Sequence, residues 1–196
     1  MTTPSIGVLA VQGDVREHRA ALEAAGARTV AVRRPDELAT LDGLVLPGGE
    51  STTIDKLTRT FGLREPLIDF ARAGHPVLGT CAGLILLART IRDPAPGQRS
   101  LGLLDAAVAR NAFGPQTSSA EALLTWGGSA RPEGTVRAAF IRAPEVVQHG
   151  PDVEVLARFE GRVVAVRQGR VLGISFHPEL TGDTTVHREL LGLIPD

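Results

Sequence analysis

Five residues, Gly79-Thr80-Cys81-Ala82-Gly83, stand between two apolar runs. Pro76-Val77-Leu78 before them reads as a buried strand, and Leu84-Ile85-Leu86-Leu87-Ala88-Arg89 after them reads as a helix. A strand that turns so tightly into a helix needs small neighbours around the residue at its apex. The pattern is the nucleophile elbow, met with Ser in hydrolases and filled here by Cys81. Such a turn lifts its side chain above the carboxyl end of a sheet. It also sets the sulfur beside a helix N-terminus, whose partial positive charge favours thiolate over thiol. Cys81 is the only cysteine of the chain, so neither an internal disulfide nor a cysteine metal cluster can form. On this residue alone a second reading stands level with the first: a small buried hydrophobe in a core strand.

The 196 residues suffice for a full core, and we expect residues 1–196 to form a single domain. A net charge of -1 argues against nonspecific binding to nucleic acid. Met1-Thr2-Thr3-Pro4-Ser5 has no basic stretch and no long apolar core, and the apolar run from Val77 to Ala88 is too short to span a bilayer. One unpaired cysteine fits a reducing compartment. The expectation is a cytoplasmic protein.

Ile6-Gly7-Val8-Leu9-Ala10-Val11 is a near-continuous apolar run, the pattern of a parallel strand buried on both faces. Gln12-Gly13-Asp14 breaks it, with Asp14 placed to cap a helix over Val15 to Ala25. That helix carries Val15, His18, Leu22 and Ala25 on one face. Thr29 to Val32 and Gly43 to Leu46 predict two more strands, with a short helix near Asp36 between them. Pro47-Gly48-Gly49-Glu50-Ser51-Thr52-Thr53 is a glycine-rich loop ending in capping residues, of which Ser51 is the expected cap. Helical patterns follow through Ile54-Leu57 and Leu67-Phe70. This alternation predicts an α/β fold: a three-layer, doubly wound, mostly parallel sheet with helices on both faces. Beyond Arg92 short β-prone runs take over, at 106–109, 136–141, 153–159, 163–166 and 171–176, and predict an added antiparallel region. Glu160-Gly161 reads as a hairpin turn, the segment from Asn111 to Ala122 as a loop or edge, and Thr184 to Leu193 as a last helix. Gln12-Gly13, the Pro47–Ser51 loop and Cys81 each follow a predicted strand, so all three belong on one rim, where such sheets bind ligands.

Phe176-His177-Pro178-Glu179 follows the last predicted strand. Pro178 favours an extended His177, so both side chains can point to one side. Glu179 can then accept from one ring nitrogen while the other faces a nucleophile, which is the base-and-orienter half of a Cys-His-Glu triad. A histidine near a strand end taken alone is as well read as a satisfied core or surface side chain.

The elbow with its later His-Pro-Glu resembles the class I glutamine amidotransferases. Further stretches are Gln12 to His18, Pro47 to Thr53, Arg110-Asn111-Ala112-Phe113-Gly114, Phe140-Ile141-Arg142-Ala143-Pro144 and Ser175 to Thr181. With them the resemblance narrows to the glutaminase subunits of pyridoxal 5'-phosphate synthases and covers nearly the whole chain. It implies a glutaminase that hydrolyses L-glutamine and delivers ammonia to a separate synthase subunit in a hetero-oligomeric complex, with no cofactor and no metal. It implies Cys81 as nucleophile, His177 as base and Glu179 as its orienter. Backbone N–H groups of the Gly48-Gly49 loop and of Ala82 would form the oxyanion hole. Gly48, Gly49, Glu50, Arg110, Ile141 and Arg142 fall at glutamine-binding positions. Chemistry agrees: arginine matches an α-carboxylate bidentately, Glu50 an α-ammonium group, and two glycines let the backbone approach an oxyanion.

Other readings remain for several of these. A single surface arginine is normally just solvated, and Gln12-Gly13 fits a plain turn as well as partner gating. Arg16, Glu17 and His18 read as a solvated or partner-facing helix surface, and His75, His149 and His187 as surface residues. Pro115 to Ala122 departs from the family's usual basic, acidic and aromatic continuation. Two alternatives to the function are an amidotransferase subunit serving another synthase, such as that of histidine biosynthesis, and a non-catalytic regulatory subunit. The latter is expected to lack the Cys or the His.

Overall fold

The computed structural model describes residues 3–112, 120–127 and 134–195. The first strands are β1 (Ser5–Leu9), β2 (Arg28–Val32), β3 (Gly43–Leu46), β4 (Val77–Thr80) and β5 (Ala88–Arg92). Then come β6 (Leu104–Ala109), β7 (Ala120–Trp126), β8 (Gly134–Phe140), β9 (Glu145–His149), β10 (Glu154–Phe159), β11 (Arg162–Gln168) and β12 (Val171–Ile174). The helices are α1 (Val15–Ala24), α2 (Ser51–Thr60), α3 (Arg64–Arg72), α4 (Ala82–Leu87) and α5 (Thr185–Gly192).

One large sheet runs β2-β1-β3-β4-β12-β11-β9-β6-β5, with β10 also paired to β11. Its first five strands are parallel. The antiparallel extension begins at β11, and β7 and β8 form a separate ribbon. Period-two alternation divides the core between the two faces. Leu44 and Leu46 enter the core shared with Ile54 of α2, Leu67 of α3 and Leu84 of α4. Val45 enters the other, with Leu22 of α1 and Leu190 of α5. Each fully buried Leu or Ile contributes roughly 1.5–3 kcal/mol, so both faces of every central strand are committed. This is the expected three-layer α/β arrangement. The Glu160-Gly161 hairpin also forms as expected, both residues having positive φ (49° and 79°) as a tight β-hairpin turn requires.

Three strands depart from the sequence expectation. The run after the elbow is helical only to Leu87; Ala88 onward is β5, paired to β6. The Leu101 and Leu103 amides bond the Leu86 and Leu87 carbonyls and so end α4. In β9, Val146 is the one buried residue, so its sequence carries no strand pattern and sheet pairing alone decides it. β7 begins at Ala120, inside the segment expected to be a loop or edge, and runs on to Trp126, beyond any predicted strand. The rest of that segment, 113–119, lies outside the described residues, as do Phe113 and Gly114 and most of the departure from Pro115 to Ala122.

The helix after the elbow can approach the sheet because three glycines, two in the strands and one in its own first turn, lie at the contact. Gly79 of β4 is paired with Gly173 of β12. A Cβ at Gly79 would stand 2.6 Å from the Gly83 backbone, and one at Gly173 2.6 Å from Leu84 Cδ1. A Cβ at Gly83 would overlap the Leu46 carbonyl oxygen of β3. Gly79→Ala therefore forces backbone against backbone, and urea denaturation should show a loss of about 1–3 kcal/mol. Gly192→Ala, in open space near the end of α5, should be neutral or stabilising by up to about 1 kcal/mol.

Candidate active site

β1, β3, β4 and β12 end at one rim, and each is followed by a piece of the same cleft, about 440 Å³ in volume. Cys81 follows β4 with φ 48° and ψ -100°, a backbone conformation that costs energy in a non-glycine residue. Its amide bonds the Ile174 carbonyl at 2.8 Å and its carbonyl accepts from Ile85. The side chain is held at the start of α4 and only 8% exposed. His177 leaves β12 with its amide fixed to the Ala139 carbonyl of β8 at 2.8 Å. Pro178 opens a short 3-10 turn, Pro178–Leu180, which brings Glu179 back towards the ring. Glu179 Oε1 lies 2.8 Å from His177 Nδ1, and the Cys81 side chain lies close enough to the imidazole to help raise its pKa. The three residues that the sequence placed far apart meet in the predicted order.

Burial works against a charge on His177. Hydrogen bonds with Asp14, Cys81 and Glu179 outweigh it and raise the ring's pKa to about 12. Burial raises Glu179 above the ordinary carboxylate range, opposed by the His177 hydrogen bond and charge. The pair therefore keeps a proton on the imidazole at neutral pH, between the sulfur and the carboxylate.

Asp14 is the carboxylate the sequence reading missed. It makes no side-chain cap to α1; its Oδ2 sits 3.4 Å from His177 Nδ1. Its amide also bonds the Gly48 carbonyl at 3.2 Å, and the Glu50 amide donates to Gln12 Oε1 at 2.9 Å. The Gln12–Asp14 turn and the glycine loop are thus tied side by side. A Cβ on Gly13 would overlap the Gly48 carbonyl, one on Gly48 would overlap His177 Cε1, and Gly49 (φ 150°) faces Gln12 at 2.5 Å. All three positions require glycine.

Gly49, Glu50, Ala82, Arg110, Ile141 and Arg142 line the cleft with Cys81 and His177; Gly48 lies behind the ring. Glu50, rather than Ser51, caps α2, accepting from the Thr52 and Thr53 amides at 3.0 and 2.7 Å. Burial opposes these bonds, yet they hold its pKa below the usual value. Ser51 Oγ instead accepts from Gln98 Nε2, and Gln98 Oε1 accepts from Arg110 at 2.9 Å. Gln98, in a loop with no motif, gave no sequence signal. Arg142 (φ 44°) and Asn111 (φ 50°) both hold left-handed backbone at the cleft wall.

Behind the triad lie two more misses. His18 and His187 are fully buried rather than at the surface. His18 Nδ1 meets His187 Nε2 at 3.0 Å, and His18 Nε2 meets Thr80 Oγ1 at 3.0 Å. The signal was present for His18, which shares its helix face with Val15 and Leu22. His75 is half-buried and stacked on Phe70; His149 is exposed.

A model of the SNO glutamine amidotransferase family matches residues 8–191. The chain is 57% identical over 196 residues to the pyridoxal 5'-phosphate synthase subunit PdxT of Acidothermus cellulolyticus, covering 97% of this chain and 94% of that one. It is 58% identical over 187 residues to the subunit of the same name in Streptomyces coelicolor, covering 95% and 91%. A crystal structure of a glutamine amidotransferase superposes with a TM-score of 0.89 at 47% identity, covering 96% of this chain and 98% of that one. PurLQS from Thermotoga maritima, at 19% identity and a TM-score of 0.73 over 100% of both chains, shares the fold.

Burial lowers the His18 pKa far below 6.5 and, against a weaker pull from Asp183, lowers that of His187 to about 4. The unfolded chain takes up these protons at higher pH than the folded one. Stability is therefore complete above pH ~6.5 and lost as the pH falls towards ~4. His187→Gln should remove its share of this acid loss, on the order of 3 kcal/mol. Urea midpoints measured from pH 7 to pH 4 should thus fall less steeply in the variant than in the parent chain.

Proposed function

The chain belongs to the SNO glutamine amidotransferase family, and from that premise we propose that it hydrolyses L-glutamine to glutamate and ammonia and passes the ammonia to the synthase subunit of a pyridoxal 5'-phosphate synthase. The observation that carries the chemistry is the His177 ring held between the Cys81 sulfur and the Glu179 carboxylate at the end of a strained elbow.

With its proton held on His177, the Cys81 sulfur attacks the side-chain amide carbon of glutamine. The oxyanion that forms is met by backbone N–H groups of the Gly48-Gly49 loop and of Ala82, the first residue of α4. The Gly48 carbonyl is bound to the Asp14 amide. Because the peptide is trans, the Gly49 N–H faces away from that turn. His177 gives its proton to the leaving ammonia, and the γ-glutamyl thioester remains. The neutral ring then draws a proton from water, which attacks the thioester and releases glutamate. Glu179 holds the ring's Nδ1 throughout and stabilises its charged form.

Arg110, oriented by Gln98, and Arg142, which lines the same cleft, bind the α-carboxylate. Glu50 still has lone pairs for the α-ammonium group after capping α2, and Ile141 packs against the substrate's methylenes. The mouth of the cleft also exposes Ile141 and Leu180, 37% and 44% accessible. These apolar side chains suit closure by a docked synthase subunit. A partner seated there keeps ammonia from water, where it becomes ammonium and stops being a nucleophile. Among the described residues no helix is long and apolar enough to cross a membrane. A cysteine nucleophile that must stay reduced fits the cytoplasm, and we read residues 1–196 as one functional domain.

Glutaminase assays of the complex with the synthase subunit test this reading. Cys81→Ala should abolish turnover while the fold persists, and His177→Asn should lose nearly all of it. Glu179→Gln should lose less, since its amide oxygen still accepts from the ring. Near-parental rates in all three variants would remove the triad from the mechanism. If no synthase subunit from a pyridoxal 5'-phosphate synthase binds or stimulates the chain, the acceptor assignment is wrong.

Arg110→Ala and Arg142→Ala should raise the glutamine KM more than they lower kcat, as expected for groups that bind ground and transition states alike. A charge-assisted hydrogen bond is worth about 1.5–3 kcal/mol, or roughly ten- to hundredfold in KM. Steady-state kinetics in which neither variant changes KM would assign the carboxylate to other groups.

A further inference from the structure

The Glu179 carboxylate is wholly buried, and its Oε2 has no hydrogen-bond partner among the described residues. What faces the carboxylate is limited. His177 lies on its own loop, Asp14 on the turn before α1, and Thr80 at the end of β4 contributes a neutral hydroxyl. His18 reaches in from α1, with Nε2 3.4 Å from Glu179 Oε1 and 3.0 Å from Thr80 Oγ1. His187 of α5 stands behind His18 and is influenced from outside by Asp183.

These contacts fix the proton positions. If His18 carried its proton on Nδ1, the bare Nε2 lone pair would face the carboxylate. His187 would then have to accept through Nε2 and bury an Nδ1–H, and His187 Nδ1 has no partner among the described residues. Buried N–H groups without partners are rare, and an unpaired acceptor is less costly. The other arrangement leaves one orphan acceptor and no repulsion. His187 Nε2–H donates to His18 Nδ1, and His18 Nε2–H donates to Thr80 Oγ1 at 3.0 Å with Glu179 Oε1 beside it at 3.4 Å. Burial keeps both rings neutral, so this arrangement persists at working pH.

We propose that His18 is a positioning residue of the active site: its Nε2–H holds the Glu179 carboxylate in place against His177, and His187 sets the tautomer that makes this possible. The proposal rests on Glu179 orienting His177 as described above. The order of the relay is His187, His18, Glu179, His177, Cys81, and each ring hands its neighbour a single defined donor or acceptor. It joins α1 and α5 on one side of the sheet to the elbow, and it gives a chemical role to the histidine that ends the Gln12–His18 stretch.

Without the His18 donor, Glu179 would lose support for its ionised form and take up a proton at higher pH. A protonated Glu179 no longer accepts from His177. In the complex with the synthase subunit, His18→Leu should lower kcat/KM for glutamine about tenfold or more and move its acidic limb to higher pH by about one unit. His18→Gln, whose amide nitrogen reaches the place of Nε2, should keep the parental limb. His18→Asn, whose amide reaches only the place of Nδ1, should not. Leu22→Val, a buried change on the same helix face, should lower the melting temperature and leave the pH profile alone. An unmoved limb in His18→Leu overturns the proposal, and if that variant does not fold, equal profiles in His18→Gln and His18→Asn do so. Imidazole nitrogen NMR of the full chain should show His18 protonated at Nε2, and a proton at Nδ1 overturns it as well. Glu179→Gln run alongside separates the two claims. A large effect there with none at His18 defeats only the relay, whereas no effect at Glu179 defeats the reading beneath it.

Discussion

The arrangement depends on how closely α4 can approach the sheet. A helix normally stands off a sheet by the thickness of its side chains, and at that distance a residue at the strand-to-helix turn points along the surface. Paired Gly79 and Gly173 remove that layer on neighbouring strands, and Gly83 lets the first turn rest on the Leu46 carbonyl. The chain must then reverse within one residue, and Cys81 takes up the strain as a positive φ. Its carbonyl is used in the first helical bond and its amide in a bond to β12, so the strained backbone is held from both sides. The core under α4 supplies the energy that keeps the turn strained.

Around that fixed point the site is assembled from loops that are themselves tied together. The Gln12–Asp14 turn binds the glycine loop through one backbone hydrogen bond and one from the Glu50 amide to the Gln12 side chain, and the His177 loop is anchored to β8. His177 gathers two carboxylates, Asp14 and Glu179, around one nitrogen. The two differ in kind, because Glu179 is sealed from water and Asp14 is partly open to it. The buried carboxylate holds its orientation without competition from solvent. The open one lies on a turn that shares a hydrogen bond with the loop proposed to hold the oxyanion. A partner that moves this turn would act on both the ring's charge and the oxyanion loop.

The sequence by itself determined the layered fold and singled out Cys81, His177 and Glu179, which the structure brings together. Both follow from local rules: continuous apolar runs make strands buried on two faces, and small residues around Cys81 make a tight turn. The ends of parallel strands share one rim whatever their order in the chain. Tertiary structure alone decided the rest. β9 exists because a neighbour offers free backbone groups, and α4 stops at Leu87 because two later amides take its carbonyls. Asp14 keeps the N-cap position, but its side chain turns to His177, distant in sequence, instead of capping. Glu50 caps α2 while Gln98 claims Ser51. His187 reads as a surface histidine because polarity alone gives no sign of burial, whereas His18 carried a sign in the apolar face it shares with Val15 and Leu22. What buries them is mutual hydrogen bonding between residues 169 positions apart. Local patterns are written in neighbouring residues, whereas the partners of a polar side chain are known only when the chain has closed around it.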